Sequence, residues 1–288
     1  MAPASSVQKE KVNEHCRVPR ALTVAGSDSG AGAGIQADLK TFFALGVYGT
    51  CAITAVTAQN TQGVTAVHYL PPEMVAEQID AVVADIGCDA VKTGMLGTAA
   101  IVEVVAAKIL EHRLKNLVVD PVMVAKSGHL LLDPAAVSNL AKQLLPLARV
   151  VTPNLAEAEV LAQMQVTGTG NWKEAAKRIA GLGARYVLIT GGHLPGPAVD
   201  LLYDGREFME VSSARIETTS THGTGCTYSA AIAAGLARGL DVPEAVRVAK
   251  EYVHAALKGA FPLGKGHGPT NHWAGYQAHG AGRTAGCG

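Results

Sequence analysis

The stretch RALTVAGSDSGAGAGIQADLKTFFALG, residues 20–46, decides the fold because it passes from a strand pattern to a helix pattern through a glycine-rich loop. Its first part, residues 20–26, consists mostly of apolar strand formers and ends at Gly26. After the loop, large apolar side chains recur at the spacing of an amphipathic helix: Ile35, Leu39, Phe42, Phe43 and Leu45. A strand followed by a helix in this way predicts the first unit of a layered α/β fold.

The same alternation continues along the chain. Apolar runs predict buried strands at 49–60, 89–95, 115–121, 148–153 and 184–192. Amphipathic runs predict helices at 71–87, 98–113, 133–145, 154–164, 171–183 and 227–239. A β-hairpin is predicted over 199–211, with its turn at Asp204-Gly205. Near-continuous apolar strands that alternate with helices predict a central, mostly parallel β-sheet with helices on both faces.

The domain organisation follows from the absence of a Pro/Gly-rich linker between residues 20 and 260. We therefore expect a single α/β domain over 20–270, preceded by a flexible leader at 1–19 and followed by a flexible tail at 271–288. The leader contains no hydrophobic segment, so it is not a secretory signal.

Composition excludes several classes of function. The formal net charge is zero, which argues against nucleic-acid or membrane-surface binding through bulk charge. No apolar run has the length needed to cross a bilayer. The five cysteines are scattered and include no C-x-x-C pair, which excludes an obvious zinc ribbon or disulfide framework and indicates a reducing compartment. We therefore expect a cytoplasmic protein with a small-molecule substrate.

The glycine-rich loop raises the question of dinucleotide binding. Residues 32–37, GAGIQA, fit the G-x-G-x-x-A fingerprint, which requires a carboxylate about 20 residues later to hold the ribose. No Asp or Glu occurs between Asp38 and Glu73, so a dinucleotide site is excluded. The glycines then either let the backbone approach a small substrate closely or simply form a tight turn.

Two polar residues near this loop are candidates for substrate contacts. Asp38 lies on the same helical row as Phe42 and Leu45, which should face inward. It is either a ligand for a substrate hydroxyl or amine, or a first-turn acid that benefits from the helix dipole. Gln59 ends an apolar strand, and its amide offers an acceptor beside donors, which matches a ring nitrogen next to an exocyclic amine.

Hard oxygen ligands follow two further strands. Asp120 ends one strand, and Asn154 and Glu157 stand three residues apart at the next strand-to-helix junction. The pair is either a capping box or part of a magnesium site, and spacing alone does not separate these alternatives. Lys126 is either a phosphate contact or a solvated loop lysine.

The stretch THGTGC, residues 221–226, precedes the helix pattern at 227–239. Gly223 and Gly225 free the backbone to point N–H groups outward, and a helix start adds partial positive charge, so an anion site is predicted. A thiol at such a terminus has a lowered pKa in principle. As a covalent nucleophile, Cys226 would need an oriented base, and the sequence marks none of the candidates: His193, His222 and His254.

Together these motifs resemble one known family. LTVAGSDSGAGAGIQADLKTF, ITAVTAQNTQGV, KTGML, VVDPVMVAKSG, TPNLAEAE, LITGGH and THGTGCTYSAA follow in order the pattern of the hydroxymethylpyrimidine (phosphate) kinases of thiamine biosynthesis, which belong to the ribokinase-like superfamily. The resemblance runs from about Ala21 to Thr270.

The resemblance implies roles for individual positions. A pyrimidine pocket is implied for Gly26, Asp38, Gln59, Met95 and Val122, with Asp38 and Gln59 reading the polar edge of the ring. ATP contacts are implied for Lys126, Asn154, Thr190 and Thr224, and magnesium ligands for Asp120 and Glu157. The catalytic residues would be Gly223, Gly225 and Cys226, with Cys226 in the position where sugar-kinase relatives carry an aspartate base.

The implied reaction is the ATP- and Mg²⁺-dependent phosphorylation of 4-amino-5-hydroxymethyl-2-methylpyrimidine and then of its monophosphate, by an enzyme of a commonly dimeric family. Thr190 stands where many members carry lysine, and close relatives with threonine also accept pyridoxal, so a pyridoxal or pyridoxine kinase is the alternative. TAQNTQG at 57–63 is the form associated with the pyrimidine enzymes. Outside this class, the alternatives are a Cys226 thiol hydrolase or acyltransferase and a non-catalytic binding protein on the same fold.

Overall fold

A computed structural model describes residues 17–123, 133–192 and 196–274 of the chain. The strands are β1 (Arg20–Ala25), β2 (Tyr48–Ile53), β3 (Ala55–Asn60), β4 (Gly63–Tyr69), β5 (Ala90–Thr93), β6 (Leu117–Val119), β7 (Val150–Val151), β8 (Tyr186–Thr190), β9 (Ala198–Tyr203) and β10 (Phe208–Ser213). The helices are α1 (Gly34–Ala44), α2 (Pro72–Asp85), α3 (Ala99–Glu111), α4 (Pro134–Asn139), α5 (Leu155–Ala162), α6 (Trp172–Ala180), α7 (Thr224–Ala237) and α8 (Val242–Lys258).

Eight of these strands form one sheet in the order β10-β9-β8-β7-β6-β5-β1-β2. The pairs from β2 to β8 are parallel, whereas β8–β9 and β9–β10 are antiparallel. One apolar core lies between the sheet and the helices α2, α3, α5 and α6, and a second lies between the opposite face and α1, α7 and α8. The predicted single α/β fold, with a mostly parallel sheet covered on both faces, is confirmed.

The predicted strand at 49–60 is wrong in one respect, because the chain leaves the main sheet at Thr54. The Thr54 N–H donates to the Ala25 carbonyl at 3.0 Å, and its hydroxyl donates to the Met95 carbonyl at 2.6 Å. Beyond this residue, β3 pairs antiparallel with β4 in a separate two-stranded sheet. The alternation of buried and exposed residues along β3 reflects a strand with one covered face rather than a strand inside a parallel sheet.

The segment around residue 140 also differs from the single helix predicted at 133–145. Asp133 caps α4 by accepting a hydrogen bond from the Ala135 N–H at 2.7 Å, but the helix widens into a π-helical turn over Leu140–Leu144. A 3₁₀ turn then follows over Leu145–Leu147.

The packed structure continues past the predicted domain boundary at residue 270. Tyr252 donates its hydroxyl hydrogen to the His272 carbonyl at 2.9 Å, and His272 is 7% exposed. Pro19, placed in the predicted leader, accepts a hydrogen bond from the Tyr48 N–H. The predicted leader and tail otherwise fall on residues 1–16 and 275–288, which lie outside the described residues. Among the described helices, none combines the length and the apolar character needed to span a bilayer.

Candidate active site

The candidate site lies at the carboxyl edge of the parallel strands, where open α/β sheets bind their ligands. Gly26 follows β1, Met95 follows β5 and Asp120 follows β6. Helix α7 brings its N-terminal turns to the same edge, because the Ser229 hydroxyl donates to Asp120 Oδ2 at 2.8 Å. The chain therefore places an apolar pocket, a carboxylate and a helix N-terminus side by side.

Three residues implied for the pyrimidine pocket lie together. The Gly26 N–H donates to the Met95 carbonyl at 3.1 Å, and a Cβ at Gly26 would stand 3.3 Å from Met95 Sδ. Met95 and Ala55 form a small apolar cluster against which Val122 packs. Because Gly26 has no side chain, it leaves space beside this apolar cluster that a flat ring could fill.

Asp38 faces inward as predicted, but its carboxylate binds two side chains of the protein, those of Lys92 and Thr23. The side chain is fully buried, and both carboxylate oxygens lie 2.9 Å from Lys92 Nζ. Oδ2 also accepts a hydrogen bond from the Thr23 hydroxyl at 2.6 Å. Asp38 is the fifth residue of α1 and not a first-turn acid. Its implied role in reading the ring's polar edge is therefore unsupported, because it presents no exposed atom.

Lys92 was missed by the sequence analysis, although it stands in the quoted KTGML motif. Burial alone would lower the pKa of its ammonium group, but the charges of Asp38 and Asp120 raise the pKa above its usual range. Lys92 therefore remains protonated in the interior. It balances the negative charge of the carboxylates beneath the pocket.

Asn154 and Glu157 form the capping box that was one of the two predicted alternatives. The Asn154 side chain accepts from the Glu157 N–H at 2.9 Å, and Glu157 Oε2 accepts from the Asn154 N–H at 2.9 Å. Glu157 is also buried, and burial together with the charge of Asp120 raises its pKa to about 8. A buried carboxylate near a second one does more than cap a helix, because the pair concentrates negative charge.

Thr190 lies next to Asn154, so two of the implied ATP contacts come together. The Thr190 N–H donates to the Pro153 carbonyl at 2.9 Å, and Asn154 and Thr190 form an isolated parallel bridge. The next N–H, of Gly191, donates to Asp200 Oδ1 at 3.0 Å. Lys126 and His193 fall on residues outside those the structure describes.

The entry to α7 has the backbone geometry predicted for an anion site. Gly223 has a φ of +77°, and a Cβ there would stand only 1.7 Å from the Gly32 carbonyl oxygen, so only glycine fits. Thr224 begins the fourteen-residue helix, and its hydroxyl donates to the Thr221 carbonyl at 2.7 Å. Gly225 is exposed in the first turn. The helix N-terminus therefore opens towards solvent beside the glycine-rich loop.

The expectation of a lowered pKa for Cys226 is wrong. Burial raises the pKa of the Cys226 thiol to about 12; the charge of Lys92 lowers this pKa and the charges of Asp120 and Asp38 raise it, but desolvation is the largest effect. The helix start does not overcome this cost. Cys226 is therefore a neutral thiol at pH 7, which does not fit a preformed thiolate nucleophile.

Neither described histidine candidate takes the position of an oriented base for Cys226. His222 Nε2 lies 2.8 Å from Asp28 Oδ2. His254 lines a surface groove with residues of β10, the far edge strand of the sheet. The sequence analysis did not single out Asp28, which ends up 2% exposed within the glycine-rich loop. The only signal for it was an acidic residue among glycines that must turn tightly.

Comparisons with known proteins agree with this geometry. The model of the family described as phosphomethylpyrimidine kinase matches residues 28–271. The hydroxymethylpyrimidine/phosphomethylpyrimidine kinase of Bacillus subtilis is 49% identical over 257 residues, covering 88% of this chain and 95% of that protein. A thiamine biosynthesis bifunctional protein of Geobacter sulfurreducens is 54% identical over 263 residues, covering 90% of this chain and 54% of that protein. The chain thus spans about half the length of that relative.

Solved structures with the same fold include two kinases. The ADP complex of Bacillus subtilis pyridoxal kinase is 47% identical, with a TM-score of 0.84, and the match covers 90% of this chain and 98% of that one. The phosphomethylpyrimidine kinase of Clostridium difficile is 44% identical, with a TM-score of 0.74, and the match covers 83% of this chain and 99% of that one.

Proposed function

Because the chain belongs to the phosphomethylpyrimidine kinase family, we propose that it transfers the γ-phosphoryl group of ATP to the hydroxymethyl group of 4-amino-5-hydroxymethyl-2-methylpyrimidine. It then phosphorylates the monophosphate to the diphosphate. The observation that carries this proposal is the junction of Gly223 with Gly32, which sets the open N-terminus of α7 beside the pocket of Gly26 and Met95.

The pocket suits a small flat ring with one polar edge. Met95 and Val122 supply apolar contact, and Gly26 leaves the space that a side chain would fill. Gln59 ends β3 and supplies amide groups for the polar edge. Asp38 contributes to this pocket through its ion pair with Lys92 and not through contact with the substrate.

The ATP side is formed by the ends of β7 and β8 and by the first turn of α7. Asn154 and Thr190 lie together there, and Thr224 opens the helix. The buried carboxyl groups of Asp120 and Glu157 fit Mg²⁺ in kind, since they supply hard oxygen atoms, and burial together with the charge of Asp120 raises the pKa of Glu157 in a way that a bound cation would reverse. When bound there, Mg²⁺ would neutralise charge on the phosphates of ATP.

The chemical step consists mostly of positioning and charge stabilisation. The hydroxymethyl oxygen attacks the γ-phosphorus, the bond from that phosphorus to the bridging oxygen breaks, and ADP leaves, while the hydroxyl proton is lost late in the step to a phosphate oxygen or to water. The N–H groups of the first turn of α7 stabilise the charge on the transferring group, apart from that of Thr224, which donates to the Thr221 carbonyl at 3.3 Å. Cys226 lies in the first turn of α7, and we infer from the family resemblance that its side chain faces the attacking hydroxyl. In the second reaction, the phosphate oxygen of the monophosphate attacks, and Lys126 or the backbone around Gly223 holds the extra phosphate.

The alternative is a pyridoxal or pyridoxine kinase, which the similarity to the Bacillus subtilis pyridoxal kinase favours. Thr190 at the end of β8 is consistent with this activity as a side reaction. A thiol hydrolase is disfavoured, because burial raises the pKa of Cys226 to about 12.

The setting of the protein is part of the same proposal. The three described cysteines, Cys51, Cys88 and Cys226, are all free thiols, which supports a cytoplasmic location where ATP is present. Exposed apolar side chains on β2 and β3, Tyr48 and Val56, support a homodimer. Sedimentation equilibrium tests the dimer.

The experiment that tests the function measures ADP production by the purified protein with Mg²⁺ and either the aminopyrimidine alcohol or pyridoxal. We expect a higher kcat/KM for the aminopyrimidine alcohol. A higher value for pyridoxal would establish the alternative, and no ADP with either alcohol would overturn the kinase proposal.

A further inference from the structure

One histidine connects three segments of the site that are far apart in the sequence. His222 precedes α7, and its Nε2 lies 2.8 Å from Oδ2 of Asp28 in the glycine-rich loop. The same Nε2 lies 3.2 Å from Nε2 of Gln59 at the end of β3. No step of the proposed function uses His222.

Asp28 is held as an acceptor by the backbone around it. Its Oδ1 accepts the Gly30 N–H at 2.8 Å, and its Oδ2 accepts those of Gly32 and Ala33 at 3.0 and 2.8 Å. Burial alone would raise the pKa of Asp28, but the hydrogen bonds from His222 and the backbone lower it below its usual value. Asp28 is thus a carboxylate, which can only accept hydrogen bonds.

The ionised state of Asp28 determines which ring nitrogen of His222 carries a hydrogen. Since Asp28 brings no proton to the contact, His222 Nε2 must carry one, whether the ring is neutral or charged. An amide nitrogen at 3.2 Å from this atom would set two donors face to face. Rotation of the Gln59 amide about its last side-chain bond exchanges oxygen for nitrogen, and only the oxygen suits this neighbour, because it can share the single Nε2 hydrogen that Asp28 Oδ2 also accepts.

The histidine ring is itself fixed in place. The backbone of His222 is held on both sides. Its backbone N–H donates to the Gly268 carbonyl at 2.9 Å, and its carbonyl accepts from the Thr270 N–H at 3.3 Å. The ring lies against Gly32, where a Cβ would stand 2.4 Å from His222 Cδ2. Gln59 therefore meets a donor whose position the fold determines.

We propose that His222 is a specificity-determining residue that orients the Gln59 amide for an aminopyrimidine. With its oxygen towards His222, the amide has a second lone pair for an exocyclic amine and an N–H for the adjacent ring nitrogen. Pyridoxal has no amine next to its ring nitrogen and gains nothing from this orientation. The inference rests on the proposed function and names the residue that makes the site prefer one alcohol.

A double-mutant cycle tests this inference with His222→Leu, Gln59→Leu and the double variant. We measure kcat and KM for the aminopyrimidine alcohol and for pyridoxal, beside the thermal unfolding midpoint of each protein. His222→Leu should raise the KM for the aminopyrimidine about tenfold, the loss of one oriented hydrogen bond, and leave the KM for pyridoxal within about twofold. In the Gln59→Leu background, His222→Leu should change the aminopyrimidine KM no further.

His222→Gln is the matched control, because it keeps an N–H donor and should restore part of the aminopyrimidine affinity. An equal loss for both alcohols, or additive effects in the cycle, would overturn the inference and leave His222 as a packing residue.

If His222→Leu lowers the thermal unfolding midpoint too far for kinetic measurements, the aminopyrimidine affinities of Gln59→Leu and Gln59→Glu are compared instead. Glutamate keeps an acceptor towards His222 but loses the N–H, so we expect it to lose aminopyrimidine affinity as leucine does, and wild-type-like affinity would overturn the inference. Wild-type protein that turns over neither alcohol would instead overturn the proposed function together with this inference.

Discussion

Asp38 and Lys92 form an ion pair whose two side chains are both fully buried, although the residues lie 54 positions apart. Lys92 Nζ lies 2.9 Å from each carboxylate oxygen, and the Thr23 hydroxyl donates to one of them. The pair joins α1 to β5 below the pocket. It holds one positive charge in a region that also contains the carboxylate of Asp120.

Breaking this pair should destabilise the protein more than removing it. Lys92→Met leaves the Asp38 carboxylate buried without its partner, which should cost about 3–5 kcal/mol in the free energy of unfolding. The double variant Asp38→Asn/Lys92→Met carries no buried charge at these positions and should recover most of that loss. Urea unfolding, followed by the fluorescence of the buried Trp172, measures all three proteins. Equal stability of the single and double variants would contradict the role of charge balance.

The Cys226 thiol should react slowly with alkylating reagents at neutral pH. Its pKa is raised to about 12 by burial and by neighbouring carboxylates, so the reactive thiolate should increase about tenfold for each pH unit from 7 to 9. Mass spectrometry of the Cys226 peptide after timed exposure to iodoacetamide measures this rate. The same peptide in urea is the control, and its rate should level off above about pH 8.5. A plateau near pH 7 in the folded protein would show a lowered pKa instead.

Removing the Cys226 side chain should affect the chemical step. Cys226 lies in the first turn of α7, which is the implied position of the phosphoryl-transfer site. Cys226→Ala should lower kcat about a hundredfold for the aminopyrimidine, with little change in KM, because the proposed function gives this side chain the task of positioning the attacking hydroxyl. A variant that keeps most of its kcat would reduce Cys226 to a packing residue in the anion site.

The two roles of the Asn154–Glu157 pair separate by mutation. Asn154→Ala removes one capping bond and should cost about 1 kcal/mol of stability without changing the Mg²⁺ requirement. Glu157→Gln keeps an acceptor for the Asn154 N–H but cannot ionise when Mg²⁺ binds, so activity should need more Mg²⁺ at nearly unchanged stability.

The pH dependence of the Mg²⁺ requirement provides the control for this pair. Because the pKa of Glu157 is raised to about 8, Mg²⁺ must displace a proton at pH 7, and the Mg²⁺ concentration for half-maximal rate should fall between pH 7 and 9. Glu157→Gln should lose the part of this dependence that Glu157 contributes. An unchanged dependence would exclude Glu157 as a ligand.

The sequence predicted the sheet and most helices because hydrophobic period reports directly on burial. It failed at Thr54, because the switch from one sheet to another depends on a hydrogen bond to Met95, which only the folded chain brings near. The same holds for Asp38, whose inward direction was predictable from helix period. Its partner Lys92 was not, because a buried lysine in a strand pattern is energetically unfavourable without that partner.

The pocket residues were predictable only in part. Glycine at 223 followed from the turn that must precede a helix start, but the close approach to the Gly32 carbonyl is a tertiary contact. The pKa of the Cys226 thiol was predicted in the wrong direction. The partial charge of a helix start can be inferred from the local sequence, but desolvation depends on which distant residues bury the thiol. His222 and Asp28 stand 194 residues apart, and no local pattern connects them.

His272, which follows the predicted end of the domain, is a buried histidine that we expect to make stability depend on pH. Its Nε2 lies 3.1 Å from the Thr227 hydroxyl, and burial, with the charges of Lys40 and His222, lowers its pKa to about 4. In the unfolded chain its pKa is about 6.5. Between pH 4 and pH 6.5, His272 is therefore protonated in the unfolded state and neutral in the folded state. The stability that neutral His272 contributes is complete above pH 6.5 and is lost as pH falls towards 4, by up to about 3 kcal/mol.

His272→Gln removes this titration and keeps an amide within reach of Thr227. We expect the stability difference between wild type and variant to be constant above pH 6.5 and to shift in favour of the variant as pH falls to 4. Urea unfolding at half-unit steps of pH measures the difference, in which the titration of all other groups largely cancels. Because the charge on Lys40 also lowers the pKa of His272, Lys40→Met should raise that pKa in the folded protein, so the loss should still begin near pH 6.5 but should end at a higher pH and be smaller in total. A difference that stays flat from pH 7 to 4 would mean that His272 protonates in the folded protein as readily as in the unfolded chain.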